Sequence, residues 1–262
     1  MIQKQVLSAL KAIPSQQTTL NQPGLKVSLA RNSSEVREAQ RLRYKVFAEE
    51  MGAQVAKNKT PENHGLDIDG FDAYCDHLLV RDTNTQQVIG TYRILTPKQA
   101  NEAGSYYSSG EFDLSRINHL LNNTVEVGRA CVHQNYRNGA TITMLWGGLA
   151  KYMQTHGYEH MIGCASIPMS DGGHAAASLY TQLKEKYLCP VEYRVFPHVH
   201  LPIESLNTNV KAMCPPLIKG YLRLGAKICG EPAWDSSFNT ADILVMLTLS
   251  EMNKRYASHF LK

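Results

Sequence analysis

Residues 126–157 constrain this chain more than any other stretch. Glu126-Val-Gly-Arg129-Ala-Cys-Val-His-Gln-Asn-Tyr-Arg137-Asn-Gly139 reads as a short apolar strand carrying one acid and one arginine, followed by a polar turn. Ile142, Leu145, Leu149 and Tyr152 then recur at helical spacing, and Gly157 closes the helix. A strand that enters a helix through a basic, glycine-containing turn aims the unsatisfied N–H groups of the first helical turn outward, with a partial positive charge. Such a turn holds phosphate. Arg137, Asn138, Gly139 and Ala140 are the candidate anion-binding residues. With Glu126 and Arg129 just upstream, the segment points to group transfer from a phosphate-bearing carrier.

The remaining pattern is that of one α/β domain with a mixed sheet flanked by helices. Residues 1–24 read as an N-terminal extension, a short amphipathic helix (Val6, Leu7, Leu10) and a polar linker; the domain spans 25–262. Lys26–Ala30 is a first strand, and Asn32–Ser34 cap a helix running to about Glu50. On that helix Val36, Ala39, Arg43, Val46 and Phe47 share one stripe, which puts Arg43 in an apolar face. Residues 52–72 have no helical period and read as a long loop, a length that more often serves function than connection. A hairpin follows, His77–Arg81 and Val88–Leu95. Beyond the 126–157 unit come a strand at Glu159–Ile167, a helix at Gly172–Tyr187 with Ala176, Leu179, Tyr180 and Leu183 inward, and strands at Val191–Phe196 and Ala241–Leu249. A helical insertion at about 197–240 separates the last two, with a helix near Leu217–Leu224.

Composition narrows the class. Apolar residues make up 43% of the 262 and charged residues 19%, a globular balance. No run of 18 apolar residues suggests a membrane span, and the N-terminus lacks the pattern of a secretion signal, so a cytoplasmic protein is expected. Contact of the N-terminal helix with the inner membrane is left open. The six cysteines show no paired spacing, which favours free thiols over disulfides or zinc. A net charge of +4 suits an acidic partner but is too weak to argue for nucleic acid. Oligomeric state is not legible.

Several residues carry chemistry. Arg43, Arg93 and Arg129 all sit in apolar surroundings, so each needs a carboxylate; Asp67, Asp69, Asp72 and Glu126 are available. They form either an ion-pair scaffold or a clamp for a substrate carboxylate, which arginine grips by two parallel hydrogen bonds. Glu126 and Arg129 would face opposite sides of a regular strand; a bulge at Gly128 would bring them together. Tyr180 is a packing tyrosine or a proton donor to a leaving thiolate. His64 and Asp69 match an H-x-x-x-x-D pattern whose companion blocks are missing. His198 and His200 suggest no third metal ligand, so no metal is expected. Lys219, Arg223 and Lys227 form a basic stripe if their helix is continuous, either a solvated face or a dock for an acidic partner.

These residues resemble the GNAT N-acyltransferase superfamily, and within it the acyl-homoserine lactone synthases: Arg43 four before Phe47, Asp69 and Asp72 in the next loop, Arg93 on a strand, and Glu126 with Arg129 on a later one. The chain is more similar still to the ornithine lipid N-acyltransferases, often labelled hemolysin-like. Blocks at 43–53, 67–82, 126–133, 163–173, 215–235 and 238–247 carry that likeness across nearly all of the chain beyond residue 25. The resemblance implies transfer of a fatty acyl group, usually 3-hydroxyacyl, from acyl carrier protein to the α-amino group of ornithine. No bound cofactor is expected, because the acyl carrier is a co-substrate. The superfamily's cofactor loop is degraded here, with Ile142 at its second small position. That suits a phosphopantetheine arm, with its single phosphate, better than a coenzyme A pyrophosphate.

On this reading Glu126, directly or through water, takes the amine proton, and Tyr180 serves the departing thiolate. A backbone N–H near Cys131 holds the oxyanion. Arg43, Arg93 or Arg129 clamps the amino-acid carboxylate, Asp69 or Asp72 its side-chain ammonium, and Lys219, Arg223 and Lys227 dock the carrier protein. Acylation of lysine, glycine or tyrosine, an acyl-homoserine lactone synthase using S-adenosylmethionine, and a membrane-lytic protein are the alternatives.

Overall fold

A computed structural model describes residues 24–53 and 61–260; the expected N-terminal helix and part of the 52–72 loop lie outside the described residues. The chain divides into two compact units.

Of the described residues, the first unit takes those up to Leu95, then Val127–Gly157 and those from Lys254 onward. Strands β1 (Leu25–Leu29), β2 (Asp76–Asp82) and β3 (Val88–Leu95) form an antiparallel run, with a bulge between Val80 and Arg81. Every residue of β3 is buried, so Arg93 enters the sheet with no solvent face available to it. The helix Ser33–Tyr44 starts where the Asn32 side chain accepts from the Glu35 N–H, and its last turn widens into a π-turn over Lys45–Glu50. Ala39, Leu42 and Val46 pack on Leu79, Val88 and Cys131. The helix Ala140–His156 runs between two left-handed glycines, Gly139 and Gly157. It lies so close to the sheet that a Cβ on Gly90 would come within 2.5 Å of the Thr141 methyl.

The second unit holds Thr96–Glu126 and Tyr158–Asn253. Strand β5 (Thr124–Val132) begins here and continues into the first unit, where it neighbours β3. Strand β4 is the two-residue Phe112–Asp113, paired with β7 (Phe196–Pro197). Strand β6 (His160–Pro168) joins β5 in parallel over three pairs, Thr124↔His160 to Glu126↔Ile162. Nine antiparallel pairs tie β6 to β10 (Thr240–Thr248), which also carries β8 (Lys227–Ile228) and β9 (Ala233–Asp235). The helix His174–Tyr187 buries Ala176, Leu179 and Tyr180 as expected, while Leu183 is half-buried.

Two expectations fail. Val191–Phe196 is not a strand: Val191–Tyr193 is a short helical turn and only Phe196–Pro197 pairs, because Pro190 and Pro197 bracket the segment and remove ladder donors. The basic stripe is also not continuous. The helix Pro216–Leu224 ends at Gly225, whose φ of 110° stops it, and Lys227 belongs to β8. Only Lys219 and Arg223 share the helix.

Candidate active site

In the first unit, three arginines and three aspartates meet in one network. Arg43 is 1% exposed at its side chain. Its Nε donates to Asp67 Oδ2 at 2.7 Å, Nη1 and Nη2 donate to the two Asp72 oxygens at 2.8 and 2.7 Å, and Nη2 also reaches the Asp67 carbonyl at 2.5 Å. Arg93 Nη1 donates to Asp69 Oδ1 at 2.6 Å and to Asp72 Oδ1 at 3.1 Å. Arg129 Nη2 reaches Asp69 Oδ2 at 3.0 Å, and its Nε lies 3.3 Å from Asp67 Oδ2. Gln40 and the Asp69 N–H add donors to Asp72, and His77 meets the Asp72 carbonyl.

The electrostatics follow from that geometry. Burial pushes Asp72 and Asp69 up, but the guanidinium groups beside them outweigh it and hold both below the usual carboxylate range. Burial likewise works against the charge on Arg43 and Arg93, and the aspartates reverse it. Three positive and three negative side chains cancel, which is how so many charges are tolerated in a buried place.

Arg43 and Asp72 are among the residues expected to hold the amino acid. Both are enclosed and committed to each other, so they lock the 67–72 loop onto the sheet. Arg129, 13% exposed, and Asp69, 21% exposed, are the members of the network with surface to offer. Arg129 itself has φ 51°, a left-handed conformation that costs a non-glycine residue energy and is held here by its aspartates. The irregularity expected at Gly128 therefore falls one residue later, and strict alternation does not run through 126–129.

Glu126 belongs to the second unit and serves a different group of residues. Its Oε2 accepts from the Tyr107 N–H at 2.6 Å, and its Oε1 accepts from the Ser108 N–H at 2.7 Å and, very closely, from the Ser108 hydroxyl. Ser108 Oγ in turn lies 3.4 Å from Cys164 Sγ on β6. Burial, then the carboxylates of Asp242, Glu126 and Glu111, push the Cys164 thiol well up, so this cysteine is no thiolate nucleophile. Asp242 sits on β10 opposite Ser166 and accepts from the Thr240 hydroxyl at 2.9 Å.

Strong sequence similarity accompanies this geometry. The chain is 38% identical over 253 residues to an L-ornithine N(alpha)-acyltransferase of Agrobacterium fabrum, covering 90% of this chain and 85% of that one. It is 36% identical over 250 residues to the enzyme of the same name from Brucella abortus, covering 90% and 88%. The chain belongs to the L-ornithine N(alpha)-acyltransferase family. It is an acyltransferase. Residues 42–147 also match the acetyltransferase (GNAT) domain model. Among solved structures, a CoA-dependent acyl-homoserine lactone synthase superposes with a TM-score of 0.51 at 13% identity, covering 89% of this chain and 85% of that one. The GNAT-type fold expected from sequence is therefore present.

The remaining predicted residues of this acyltransferase fall as follows. Tyr180 is buried on the helix His174–Tyr187, and burial, then Glu231, push its phenol up to about 12, so it stays protonated near neutrality. The Cys131 thiol is core, pushed up to about 12 by burial. In the 137–140 turn, Arg137 is tied to the Val132 carbonyl at 2.9 Å and to Glu50 at 2.5 Å, and Asn138 Oδ1 accepts from the Ala140 N–H at 3.1 Å. The N–H groups of Thr141 and Ile142 follow at the mouth of the helix, where helix geometry leaves donors outward. His198 meets the Ser109 carbonyl and His200 lies 3.5 Å from Glu231. Among the described residues no group of three or more His, Cys, Asp or Glu side chains could hold a metal, and no helix is long and apolar enough to cross a membrane.

Sequence reasoning missed Ser108, which joins Glu126 to Cys164. Asp242 carried a signal that was passed over: an acid inside the apolar run Ala-Asp-Ile-Leu-Val-Met-Leu.

Proposed function

We propose that this chain moves a 3-hydroxyacyl group from the phosphopantetheine thioester of acyl carrier protein to the α-amino group of L-ornithine, forming lyso-ornithine lipid. The observation that carries the reading is the similarity to L-ornithine N(alpha)-acyltransferases over nine-tenths of the chain. The turn 137–142 receives the carrier's phosphate through the outward N–H groups at the start of the helix Ala140–His156. Ile142 stands where the superfamily's loop has its second small residue, which favours the single phosphate of the carrier protein over coenzyme A. Lys219 and Arg223 give that acidic carrier a basic surface.

Arg129 and Asp69, the exposed end of the ion-pair network, meet the charged groups of the amino acid. The N–H of Cys131 steadies the thioester oxyanion. Glu126, which accepts from Tyr107 and Ser108, fixes the 107–110 turn at the head of β5. The protein works in the cytoplasm, with peripheral contact at the inner membrane.

The test is mass spectrometry of lipids from cells overexpressing the chain. Accumulation of N-acylated ornithine supports the reading. Accumulation of acylated lysine, glycine or tyrosine instead would reassign the amine, and no new acylated amine would refute it.

A further inference from the structure

We propose that Glu50 selects the acyl donor: paired with Arg137 beside the 137–142 turn, its carboxylate tolerates the single phosphate of a phosphopantetheine arm and repels the several charges of coenzyme A. This deepens, and rests on, the reading of that turn as the receiver of the carrier's phosphate.

Glu50, Arg137 and the turn all lie in the first unit. The helix that starts at Ser33 ends in the π-turn Lys45–Glu50, closed by the Met51 N–H on the Val46 carbonyl at 3.2 Å. Wide turns of this kind within helices are frequent at functional sites. Val46 is buried in the cluster that includes Cys131 of β5, and β5 leads at once into the short turn Gln134–Tyr136. The acidic end of the π-turn thereby meets the basic turn. Glu50 Oε2 accepts from Arg137 Nη2 at 2.5 Å, with the two side chains 22% and 21% exposed. Arg137 is held from its other side by Nε on the Val132 carbonyl at 2.9 Å. Lys45, at the start of the same π-turn, places Nζ 3.1 Å from His133 Nε2, and His133 Nδ1 accepts from the Asn135 N–H.

Hydrogen bonds thus bring two cations and one acid, Lys45, Arg137 and Glu50, to one turn. Their sum is one positive charge, and the start of the helix Ala140–His156 adds a partial one. A phosphodiester brings one negative charge and is matched. Coenzyme A brings a pyrophosphate and a ribose phosphate, and that excess faces the Glu50 carboxylate with little to offset it. Removing one unit charge a few ångströms from an anion at a protein surface is worth roughly tenfold in binding. Glu50 also engages part of the Arg137 guanidinium before any donor arrives, so an incoming phosphate must share it.

The experiment measures kcat/KM with L-ornithine for one 3-hydroxyacyl chain on four carriers: pantetheine, phosphopantetheine capped as its methyl diester, coenzyme A and acyl carrier protein. Wild type, Glu50→Gln and Glu49→Gln are compared, with thermal melts alongside. The small carriers separate phosphate charge from contacts with the carrier protein. In wild type the value should rise from pantetheine to the diester and fall at coenzyme A. Glu50→Gln keeps an oxygen that accepts from Arg137 and should melt like wild type. It should raise kcat/KM for acyl-CoA about tenfold, chiefly through KM, raise it less for the diester and leave acyl-pantetheine unchanged. Added salt should shrink the difference. Glu49→Gln removes the same charge from an exposed neighbour on the same π-turn and should keep the wild-type order of donors. A folded Glu50→Gln with the wild-type ratio of acyl-CoA to diester overturns the assignment, and so does a Glu49→Gln that shifts the ratio equally. Wild type that uses the diester no better than acyl-pantetheine overturns the phosphate reading of the turn itself, and this inference with it.

Discussion

Replacing Arg43 with alanine should cost stability before it costs chemistry. The guanidinium makes four hydrogen bonds, to both Asp72 oxygens, to Asp67 Oδ2 and to the Asp67 carbonyl, from a side chain 1% exposed. Its loss leaves Asp67 and Asp72 buried with Arg93 and Arg129 as their remaining cations. Breaking a buried pair in this way costs about 3–5 kcal/mol. For a chain near this size each kcal/mol moves Tm by roughly 2–4 °C, so a fall of roughly 6–20 °C is expected. The dependence on pH identifies the cause. Asp72 and Asp69 have folded pKa values below their unfolded ones, so their contribution is present above the ordinary aspartate range and is lost as pH falls through the folded values. Wild type should therefore lose stability on acidification below about pH 4, an ordinary aspartate pKa, and Arg43→Ala should lose much less. Arg43→Lys, which keeps the charge but not the fork, should fall between them. The assay is a set of thermal melts from pH 3 to 7 with turnover measured at pH 8. An Arg43→Ala variant that melts like wild type but no longer binds the amino acid would refute the reasoning and make this guanidinium a substrate clamp.

Other outcomes follow from the same geometry. Arg129→Ala, at the exposed end of the network, should reduce amino-acid binding more than it lowers Tm; the reverse pattern in paired melts and KM values would place it in the scaffold. Glu126→Gln turns an amide N–H₂ towards the Tyr107 or Ser108 donors, so it should cost about 1–3 kcal/mol as well as activity, read by denaturant unfolding. With matched acyl chains, carrier protein should exceed coenzyme A in kcat/KM, and equal values would remove the argument from Ile142. Charge reversal at Lys219 or Arg223 should raise KM for the carrier protein with little change for acyl-CoA, and more so at low salt; Lys227, off that helix, should matter less.

Much of the fold was legible because its signals are local. The helix 140–156 announced itself by apolar spacing and a closing glycine, and Arg43 by standing in an apolar stripe where only a paired charge is tolerated. What failed was set by partners distant in sequence or by overlooked punctuation. Val191–Phe196 alternates like a strand, but the prolines at each end deny it a ladder. Gly225 was a readable helix stop that should have separated Lys227 from Arg223. Sequence pointed to Gly128 as the irregular residue because glycine adopts left-handed φ freely; Arg129 takes that conformation instead, tied by Asp67 and Asp69. Ser108 offered no pattern at all. Its partners Glu126 and Cys164 are brought to it by strands distant in sequence.

The central claim is acyl transfer to one particular amine, and a competition experiment tests it most directly. Purified protein is given 3-hydroxyacyl carrier protein with equal concentrations of L-ornithine, L-lysine, glycine and L-tyrosine, and the products are resolved by mass spectrometry. The account predicts N-acylornithine, acylated on the α-nitrogen, as the dominant product. A dominant product from any other amine, or hydrolysis of the thioester with no amide formed, would contradict it.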